Sequence, residues 1–405
     1  MRYYIIAGEA SGDLHGSNLM KGLYQEDSSA QIRFWGGDLM DEVYRACASE
    51  DGGGLVHHYR EGAVMGITDV MAKAGRLLAN LRSCKEDILA WKPDAVILID
   101  YPGFNMRIAK FAHEAGIKVF YYIAPKTWAS REGRNRKLRS YVDRLFIVFP
   151  FEIPYFESRN IPFTYRGNPL LDAVDNSPAM SESRASFLER NGLEDRPSIA
   201  ILAGSRKAEV SRTLPVAIEV ADRMHALAEC SGYDFLVAGA PSRSEEDYRA
   251  IIGNRDYVRL VFGDTYGIVR HSRAAIINSG TASLEAALIG TPQVVVWSTT
   301  PLTAFVARKI LRVLKNVKYI SLGNLIVDRP VFKEFIQDDF NVANVLTTKL
   351  GLATNVNTVR MYMDHLMDAF LFSESKRFDV RGKAYFDYPN KYYCEDLGLR
   401  NARTG

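Results

Sequence analysis

The chain has few of the features that mark secreted, metal-binding or membrane-spanning proteins. Its four cysteines form no Cys-x-x-Cys pair, which argues against a zinc site or a disulfide framework and favours reduced thiols in the cytoplasm. The seven histidines show no ligand spacing, so we expect no metal. No apolar run reaches the ~20 residues that a membrane-spanning helix needs, and the short apolar start predicts no signal peptide.

Strong charge and nucleotide-hydrolysis motifs are also lacking. A net charge of +3 over 405 residues does not by itself indicate a nucleic-acid partner. No Gly-x4-Gly-Lys-Ser/Thr loop occurs, so nothing predicts ATP hydrolysis. With 47% hydrophobic and 24% charged residues, the composition instead predicts a globular protein that is long enough for two domains.

Short apolar runs alternate with helical patterns along the chain. The predicted strands are residues 3–7, 32–35, 95–99, 118–123 and 144–148, then 198–202, 234–238, 258–261, 274–277 and 293–297. Strands buried on both faces of a parallel sheet have this almost continuous apolar character. We therefore predict an α/β protein with two Rossmann-like domains, 1–167 and 198–342. A polar linker, 168–197, would join them, and an atypical tail, 343–405, would follow.

Three glycine-containing loops each connect a predicted strand to a predicted helix. They are Gly8-Glu9-Ala10-Ser11-Gly12-Asp13, Ala203-Gly204-Ser205-Arg206 and Asn278-Ser279-Gly280-Thr281. Such loops present backbone N–H groups and the positive end of a helix to an anion. Their presence in both halves predicts two α/β domains that face a common ligand cleft.

Several side chains near predicted strand ends suit transfer chemistry. Asp100 follows an apolar strand, where a carboxylate serves either as a general base or as a turn former before a helix. Arg206 suits a diphosphate because its planar fork pairs with phosphate oxygens; the alternative is a capped helix start with a surface arginine. Glu285 lies one helical turn after Thr281 and either accepts hydrogen bonds from ribose hydroxyls or is a solvated glutamate.

Two further segments leave a choice between function and ordinary packing. Residues 64–81 mix apolar side chains with Lys73 and Arg76, as on a surface that meets lipid, although core-facing amphipathic helices show the same pattern more often. Residues 126–139 combine Trp128 with a dense run of basic residues. That run predicts a site for phosphate or an anionic membrane, with a solvated helix face as the alternative.

Taken together, the loops resemble those of lipid-A-disaccharide synthases, the glycosyltransferases of bacterial lipid A assembly. The matching stretches are Ala7-Gly8-Glu9-Ala10-Ser11-Gly12-Asp13, Ala63-Val64-Met65-Gly66-Ile67, Ile99-Asp100-Tyr101-Pro102-Gly103-Phe104-Asn105, Tyr122-Ile123-Ala124-Pro125-Lys126-Thr127-Trp128-Ala129, Gly204-Ser205-Arg206, Ser279-Gly280-Thr281-Ala282-Ser283-Leu284-Glu285 and Tyr319-Ile320-Ser321-Leu322-Gly323-Asn324. They occur in order between residue 1 and about residue 342. Gly103, Ala203 and Gly323 depart from the family pattern, which often has an acidic residue at the first position and proline at the other two.

The resemblance implies a GT-B fold, with the active site between two Rossmann-like domains, and an inverting reaction without metal or other cofactor. The donor would be UDP-2,3-diacylglucosamine, the acceptor 2,3-diacylglucosamine 1-phosphate (lipid X), and the product a β-1,6-linked disaccharide 1-phosphate. It also implies a cytoplasmic enzyme that associates peripherally with the inner membrane of a Gram-negative bacterium. Nucleic acid is not expected as a partner, and a homodimer is left open.

The resemblance also implies roles for individual residues. Asp100 would deprotonate the acceptor 6-hydroxyl. The donor would be bound by Gly204, Ser205, Arg206, Ser279, Gly280, Thr281, Glu285, Asn324 and Gln337. The acceptor side of the cleft would be lined by Gly8, Glu9, Ser11, Gly12 and Met65. The acyl chains and the membrane would be met by Ile67, Val70, Met71, Leu77 and Leu78.

The C-terminal segment, from about residue 350 to residue 405, resembles something else. Its sequence, for example Arg377-Phe378-Asp379-Val380-Arg381-Gly382-Lys383, is similar to the winged-helix stretch of a family of bacterial AAA-type ATPases. We therefore expect a join between unrelated sequences near residues 340–352. Two alternatives to the synthase stay open: another GT-B enzyme of UDP-N-acetylglucosamine, such as the 2-epimerase or the peptidoglycan transferase, and an inactive chimera with a winged-helix binding tail.

Overall fold

The computed structural model describes residues 1–48, 52–62, 70–129, 132–299 and 318–347, and four short strands between residues 372 and 394. The chain divides into two compact units, Met1–Pro169 and Leu170–Gly405. The boundary lies two residues beyond the predicted end of the first domain.

The first unit alternates strands and helices. Its strands are β1 (Arg2–Ala7), β2 (Gln31–Gly36), β3 (Gly54–His58), β4 (Ala95–Ile99), β5 (Lys118–Tyr122), β6 (Arg144–Ile147) and β7 (Thr164–Tyr165). Its helices are α1 (Ala10–Glu26), α2 (Asp38–Cys47), α3 (Val70–Trp91), α4 (Pro102–Glu114), α5 (Arg134–Tyr141) and α6 (Glu152–Glu157). A helix α7 (Pro169–Asp175) begins at the boundary.

The strands of the first unit form one parallel sheet in the order β3-β2-β1-β4-β5-β6-β7. Successive residues of β1 enter opposite cores: Tyr4 and Ile6 belong to one apolar cluster, whereas Tyr3 and Ile5 belong to the other. A strand that is covered on both faces needs apolar residues at consecutive positions. This double burial explains the continuous apolar runs in the sequence.

The second unit repeats this plan. Its strands are β8 (Ser198–Leu202), β9 (Asp234–Gly239), β10 (Val258–Phe262), β11 (Ala274–Asn278), β12 (Gln293–Trp297) and β13 (Lys333–Ile336). Its helices are α8 (Arg184–Asn191), α9 (Lys207–His225), α10 (Glu245–Ile252), α11 (Thr265–His271), α12 (Thr281–Ile289), α13 (Leu322–Val327) and α14 (Val342–Thr347). The sheet is parallel, with the order β10-β9-β8-β11-β12-β13.

Both sheets follow the order of Rossmann folds, in which the strand sequence runs outwards in two directions from the first strand. The direction changes between β1 and β4 in the first sheet and between β8 and β11 in the second. Loops that leave these strand pairs at their carboxyl ends open a crevice, and ligands of such sheets bind there. Each unit therefore has one favoured ligand position.

The ten predicted strands are all present, each end within one residue of its prediction. The prediction missed β3, β7 and β13, whose residues are partly exposed and so lack an apolar run. The segment predicted as a linker, 168–197, contains helices α7 and α8, and Phe187 of α8 is buried in a core of the second unit. Ser183 caps α8 by accepting a hydrogen bond from the Ser186 N–H.

Four short strands are described near the C-terminus. Strand β14 (Phe372–Ser375) pairs antiparallel with β17 (Lys391–Cys394), and β15 (Phe378–Asp379) with β16 (Ala384–Tyr385). Among the described helices, none is long and apolar enough to cross a membrane.

Candidate active site

Two predicted site loops meet at the switch point of the first sheet. The ends of β1 and β4 are in register, with Ala7 opposite Ile99, so the loop that starts at Gly8 and the residue Asp100 leave neighbouring strands. The Tyr101 ring lies directly against Gly8, and a Cβ atom at that position would collide with the ring. Glycine at position 8 therefore lets the two loops approach each other.

Asp100 and Tyr101 have an unusual main-chain conformation. Their φ angles are 41° and 44°, in the left-handed region that non-glycine residues seldom occupy. Ile123, just after the neighbouring strand β5, is left-handed as well, with φ of 64°. Such residues cost about 1–3 kcal/mol each and concentrate at functional sites. The carboxyl edge of the first sheet therefore carries three of the five left-handed non-glycine residues in the described part of this unit.

The electrostatic surroundings of Asp100 suit a base. Burial raises the pKa of the Asp100 carboxyl above its usual value, and Glu9 adds to this increase, whereas Lys126 and Arg134 oppose it. A carboxylate with a raised pKa is a stronger proton acceptor at neutral pH. The structure thus brings Glu9, Lys126 and Arg134 into the electrostatic environment of the predicted base.

The other predicted residues of the first loop differ in exposure. Glu9 and Ser11 are exposed, and Gly12, in the first turn of α1, is buried. Met65 lies outside the described residues. The last residue of the motif, Asp13, was not among the predicted site residues. Its buried carboxylate accepts hydrogen bonds from the Gly37, Leu39 and Met40 N–H groups, and it therefore caps α2. These partners are 24 to 27 positions away, so no local pattern reveals the role.

Trp128 is held by a second buried carboxylate. Glu152 accepts hydrogen bonds from Trp128 Nε1 at 3.0 Å and from the Val148 and Phe149 N–H groups at 3.1 and 3.0 Å. Burial raises the pKa of Glu152, and these hydrogen bonds oppose the change. Glu152 therefore ties the loop after β5 to the loop after β6, and Trp128 is fixed rather than freely solvated.

The second switch point carries the predicted donor loops. Leu202 at the end of β8 lies opposite Ile277 of β11, and the Gly204 and Ser279 loops follow these strands. Gly204 has φ of +106°, and a Cβ there would lie 2.6 Å from Glu209 Oε2 and 2.9 Å from Asn278 Nδ2. The two donor loops are therefore close together, and their approach depends on glycine.

Glu209 accepts hydrogen bonds from the N–H groups that we expected to face a diphosphate. Its Oε2 accepts hydrogen bonds from the Ser205 and Arg206 N–H groups at 3.1 and 3.2 Å. Its Oε1 lies 3.2 Å from Arg206 Nη1. The Arg206 side chain remains 65% exposed. Glu209 thus forms a capping box at the start of α9, as the capped-helix alternative anticipates, and the contact of this loop with a diphosphate stays a prediction.

The loop after β11 and helix α12 complete this side of the second unit. Ser279 Oγ donates to the Ile320 carbonyl at 2.9 Å, and Gly280 directly precedes α12, which begins at Thr281. The half-buried Glu285 accepts a hydrogen bond from the Tyr266 hydroxyl at 3.2 Å. Burial raises the pKa of Glu285 to about 7.

Asn324 and Gln337 are engaged with the protein main chain. Asn324 is fully buried; its Nδ2 donates to Phe332 O and Glu334 Oε1, and its Oδ1 accepts from the Phe332 N–H. Gln337 is left-handed, with φ of 56°. Its side-chain amide makes two hydrogen bonds to the main chain of Thr299, at 2.5 and 3.1 Å. Their predicted contacts with the donor stay predictions.

The predicted lipid-facing surface is only partly described. Ile67 lies outside the described residues, as do the side chains of Val70 and Met71. Leu77 packs against the core of the first unit, as the ordinary-packing alternative anticipates. Leu78 is 67% exposed on α3.

Two Rossmann-like units, each with glycine loops at its switch point, define a protein of the GT-B class. The fold is shared with the UDP co-structure of S. aureus MnaA, with a TM-score of 0.61 and 14% identity over 89% of this chain and 90% of that one. It is also shared with the Neisseria meningitidis UDP-GlcNAc 2-epimerase bound to UDP-GlcNAc, with a TM-score of 0.59 and 12% identity over 91% and 100%. At these identities the likeness is one of fold.

Residues 3–383 match the lipid-A-disaccharide synthetase family, and the chain belongs to that family. The lipid-A-disaccharide synthase of Geobacter metallireducens is 37% identical over 84% of both chains. That of Syntrophus aciditrophicus is 36% identical over 90% of this chain and 92% of its own. The epimerase and peptidoglycan transferase alternatives are therefore not favoured.

The family match extends well into the segment that we compared with an AAA-type ATPase. It ends at residue 383, beyond the join expected near residues 340–352. The second resemblance finds no support in the similar proteins.

Proposed function

We propose that this chain joins UDP-2,3-diacylglucosamine to 2,3-diacylglucosamine 1-phosphate. The products are the β-1,6-linked disaccharide 1-phosphate and UDP. Membership of the synthetase family supports the reaction class. The assignment of roles rests on one observation: the Asp100 carboxyl lies at the switch point of the first sheet, and burial raises its pKa.

In the proposed reaction, Asp100 accepts the proton of the acceptor 6-hydroxyl. The hydroxyl oxygen forms a bond to C1 of the donor sugar, and the bond from C1 to the diphosphate oxygen breaks with its electron pair. Attack from the face opposite the leaving group inverts the configuration at C1. Burial raises the pKa of the Asp100 carboxyl, which makes the carboxylate a stronger proton acceptor.

The donor loops of the second unit would bind the UDP group. Arg206 and the N–H groups of its loop stabilise the negative charge that grows on the diphosphate, after Glu209 has released them. Glu285, when ionised, accepts hydrogen bonds from the ribose hydroxyls. Because Arg206 and backbone N–H groups supply this stabilisation, we propose that the reaction needs no metal.

The acylated substrates favour work at a lipid surface. We propose that the chain is cytoplasmic and binds the inner membrane peripherally, with Leu78 in the contact surface. The exposure of this leucine supports the proposal. Association of two copies stays a prediction.

Replacement of Asp100 by Asn tests the proposal most directly. The full chain should form the disaccharide 1-phosphate and release UDP, and Asp100→Asn should lower kcat by roughly 10²–10⁴-fold because a general base contributes about that much. Product would be followed by mass spectrometry and UDP release by a coupled assay. Asp41→Asn, which removes a carboxylate of α2 that pairs with Arg45, serves as the control.

Two results would contradict the proposal. One is wild-type turnover by Asp100→Asn, which would remove Asp100 as the base. The other is epimerisation of unacylated UDP-N-acetylglucosamine without disaccharide formation, which would favour the 2-epimerase alternative.

A further inference from the structure

The main chain at Asp100 is held by two buried side chains. Tyr121 Oη donates a hydrogen bond to the Asp100 carbonyl oxygen at 2.7 Å, and Asn105 Nδ2 donates to the same oxygen at 2.9 Å. A carbonyl oxygen has two lone pairs, so these two donors use its full capacity. Both residues have no exposed surface.

The remaining bonds fix the same turn from other sides. The Asp100 N–H donates to the Tyr122 carbonyl at 3.3 Å, and the Asn105 N–H donates to the Tyr101 carbonyl at 3.0 Å. Asn105 Nδ2 also donates to the Ile99 carbonyl at 3.1 Å. Strand β5 and helix α4 are therefore both bonded to the two left-handed residues that follow β4.

A strained conformation persists only where its surroundings determine it. Asp100 and Tyr101 are both left-handed, and without their partners the main chain would relax towards ordinary φ values. Burial raises the pKa of Tyr121 well above its usual value. Its hydroxyl therefore stays protonated and remains a donor at every working pH.

We propose that Tyr121 and Asn105 are positioning residues for glycosyl transfer, because together they hold Asp100 in the left-handed conformation that presents its carboxylate to the acceptor hydroxyl. This inference rests on the proposed role of Asp100 as the base. A base must lie within hydrogen-bond reach of the proton that it removes, and a displacement of about 1 Å can cost roughly 10²-fold in rate.

Tyr121→Phe removes one donor and keeps the ring. We expect kcat to fall at least tenfold with the KM of both substrates within about twofold, because substrate contacts remain and the base is misplaced. Tyr4→Phe is the matched control. Tyr4 is equally buried in the same unit, and its hydroxyl donates at 2.7 Å to Asp87 rather than to Asp100. Its kcat should stay within about twofold of wild type.

Asn105→Ala provides a second variant, with a further fall in kcat expected when it is combined with Tyr121→Phe. Thermal unfolding of each variant separates loss of fold from loss of positioning. An unchanged kcat in Tyr121→Phe would overturn the proposal, and so would an equal fall in Tyr4→Phe.

A second readout does not depend on activity. Carbodiimide labelling of the Asp100 carboxyl, followed by peptide mass spectrometry, should be at least threefold faster in Tyr121→Phe than in wild type or Tyr4→Phe. If the wild-type chain forms no disaccharide, the proposed function fails and labelling alone decides the question. Equal labelling rates in the three proteins would then refute the proposal that Tyr121 holds Asp100 in its left-handed conformation.

Discussion

Individual residues of the predicted donor site in the second unit already have protein partners. Glu209 bonds the N–H groups beside Arg206, and the Asn324 side chain bonds Phe332 and Glu334. A donor that contacts these positions must exchange internal hydrogen bonds for bonds to itself. The net gain from each contact is then the small difference between two hydrogen bonds.

Glu285 gives a prediction for pH and stability. Its folded pKa is about 7, against about 4.5 for the usual carboxyl. Below pH 4.5 the group is protonated in both the folded and the unfolded chain. Between about 4.5 and 7 only the unfolded chain ionises, so stability falls as the pH rises through this window and then levels off. The free energy of unfolding of Glu285→Gln should therefore fall less than that of wild type as the pH rises from 5 to 8.

Thermal or urea unfolding across this pH range would measure the effect. Glu229→Gln, a change at an exposed glutamate of the same unit, should follow the wild-type pH dependence. If Glu285→Gln and wild type show the same change in midpoint with pH, the raised pKa of Glu285 is wrong.

At the scale of secondary-structure elements, each site depends on how a loop leaves its strand. The Gly204 loop must turn from β8 into α9 while it contacts Glu209 and Asn278. The Gly8 loop must leave β1 beside the Tyr101 ring. In both loops a glycine allows the close approach, and a side chain would move the elements apart.

Gly204→Ala should weaken both stability and UDP binding. The left-handed φ of +106° and the carboxylate oxygen 2.6 Å from the new Cβ predict a loss of about 1–3 kcal/mol in the free energy of unfolding. Calorimetric titration should show UDP affinity reduced about tenfold or more, a fall of ~1.4 kcal/mol. Gly232→Ala is the control, because its Cβ would meet no atom within 4 Å. An effect of equal size in both variants would exclude the loop geometry as the cause.

At the scale of the whole molecule, the proposed acylated substrates favour work at a lipid surface. The exposed Leu78 on α3 is the described part of the proposed contact. A large apolar side chain that enters a bilayer contributes about 1.5–3 kcal/mol of burial energy, and an aspartate in its place forfeits that energy.

Leu78→Asp should therefore reduce sedimentation with phosphatidylglycerol-containing vesicles about tenfold, whereas UDP affinity should stay unchanged. Leu89→Asp places the same charge on the same helix, at a leucine that is 51% exposed, and should bind vesicles as wild type does. Equal loss in both variants would indicate a general charge effect. No loss in Leu78→Asp would exclude this leucine from the membrane contact.

The sequence by itself determined the fold class, the positions of the central strands and the family. Strands buried on both faces must be apolar at consecutive positions, so ten of them could be predicted from the sequence. Partly exposed strands such as β13 could not. The glycine loops and Asp100 could be predicted as candidate site residues because each directly follows a predicted strand in the sequence.

Only the tertiary structure decided which distant groups meet. Asp13 caps a helix whose first residues lie more than 20 positions away, and Tyr121 reaches Asp100 from a neighbouring strand. Strand order and burial create these contacts and raise the pKa values of Asp100 and Glu285. Neither strand order nor the burial of a side chain is a property of a local stretch of sequence, because both depend on the elements that pack around that stretch.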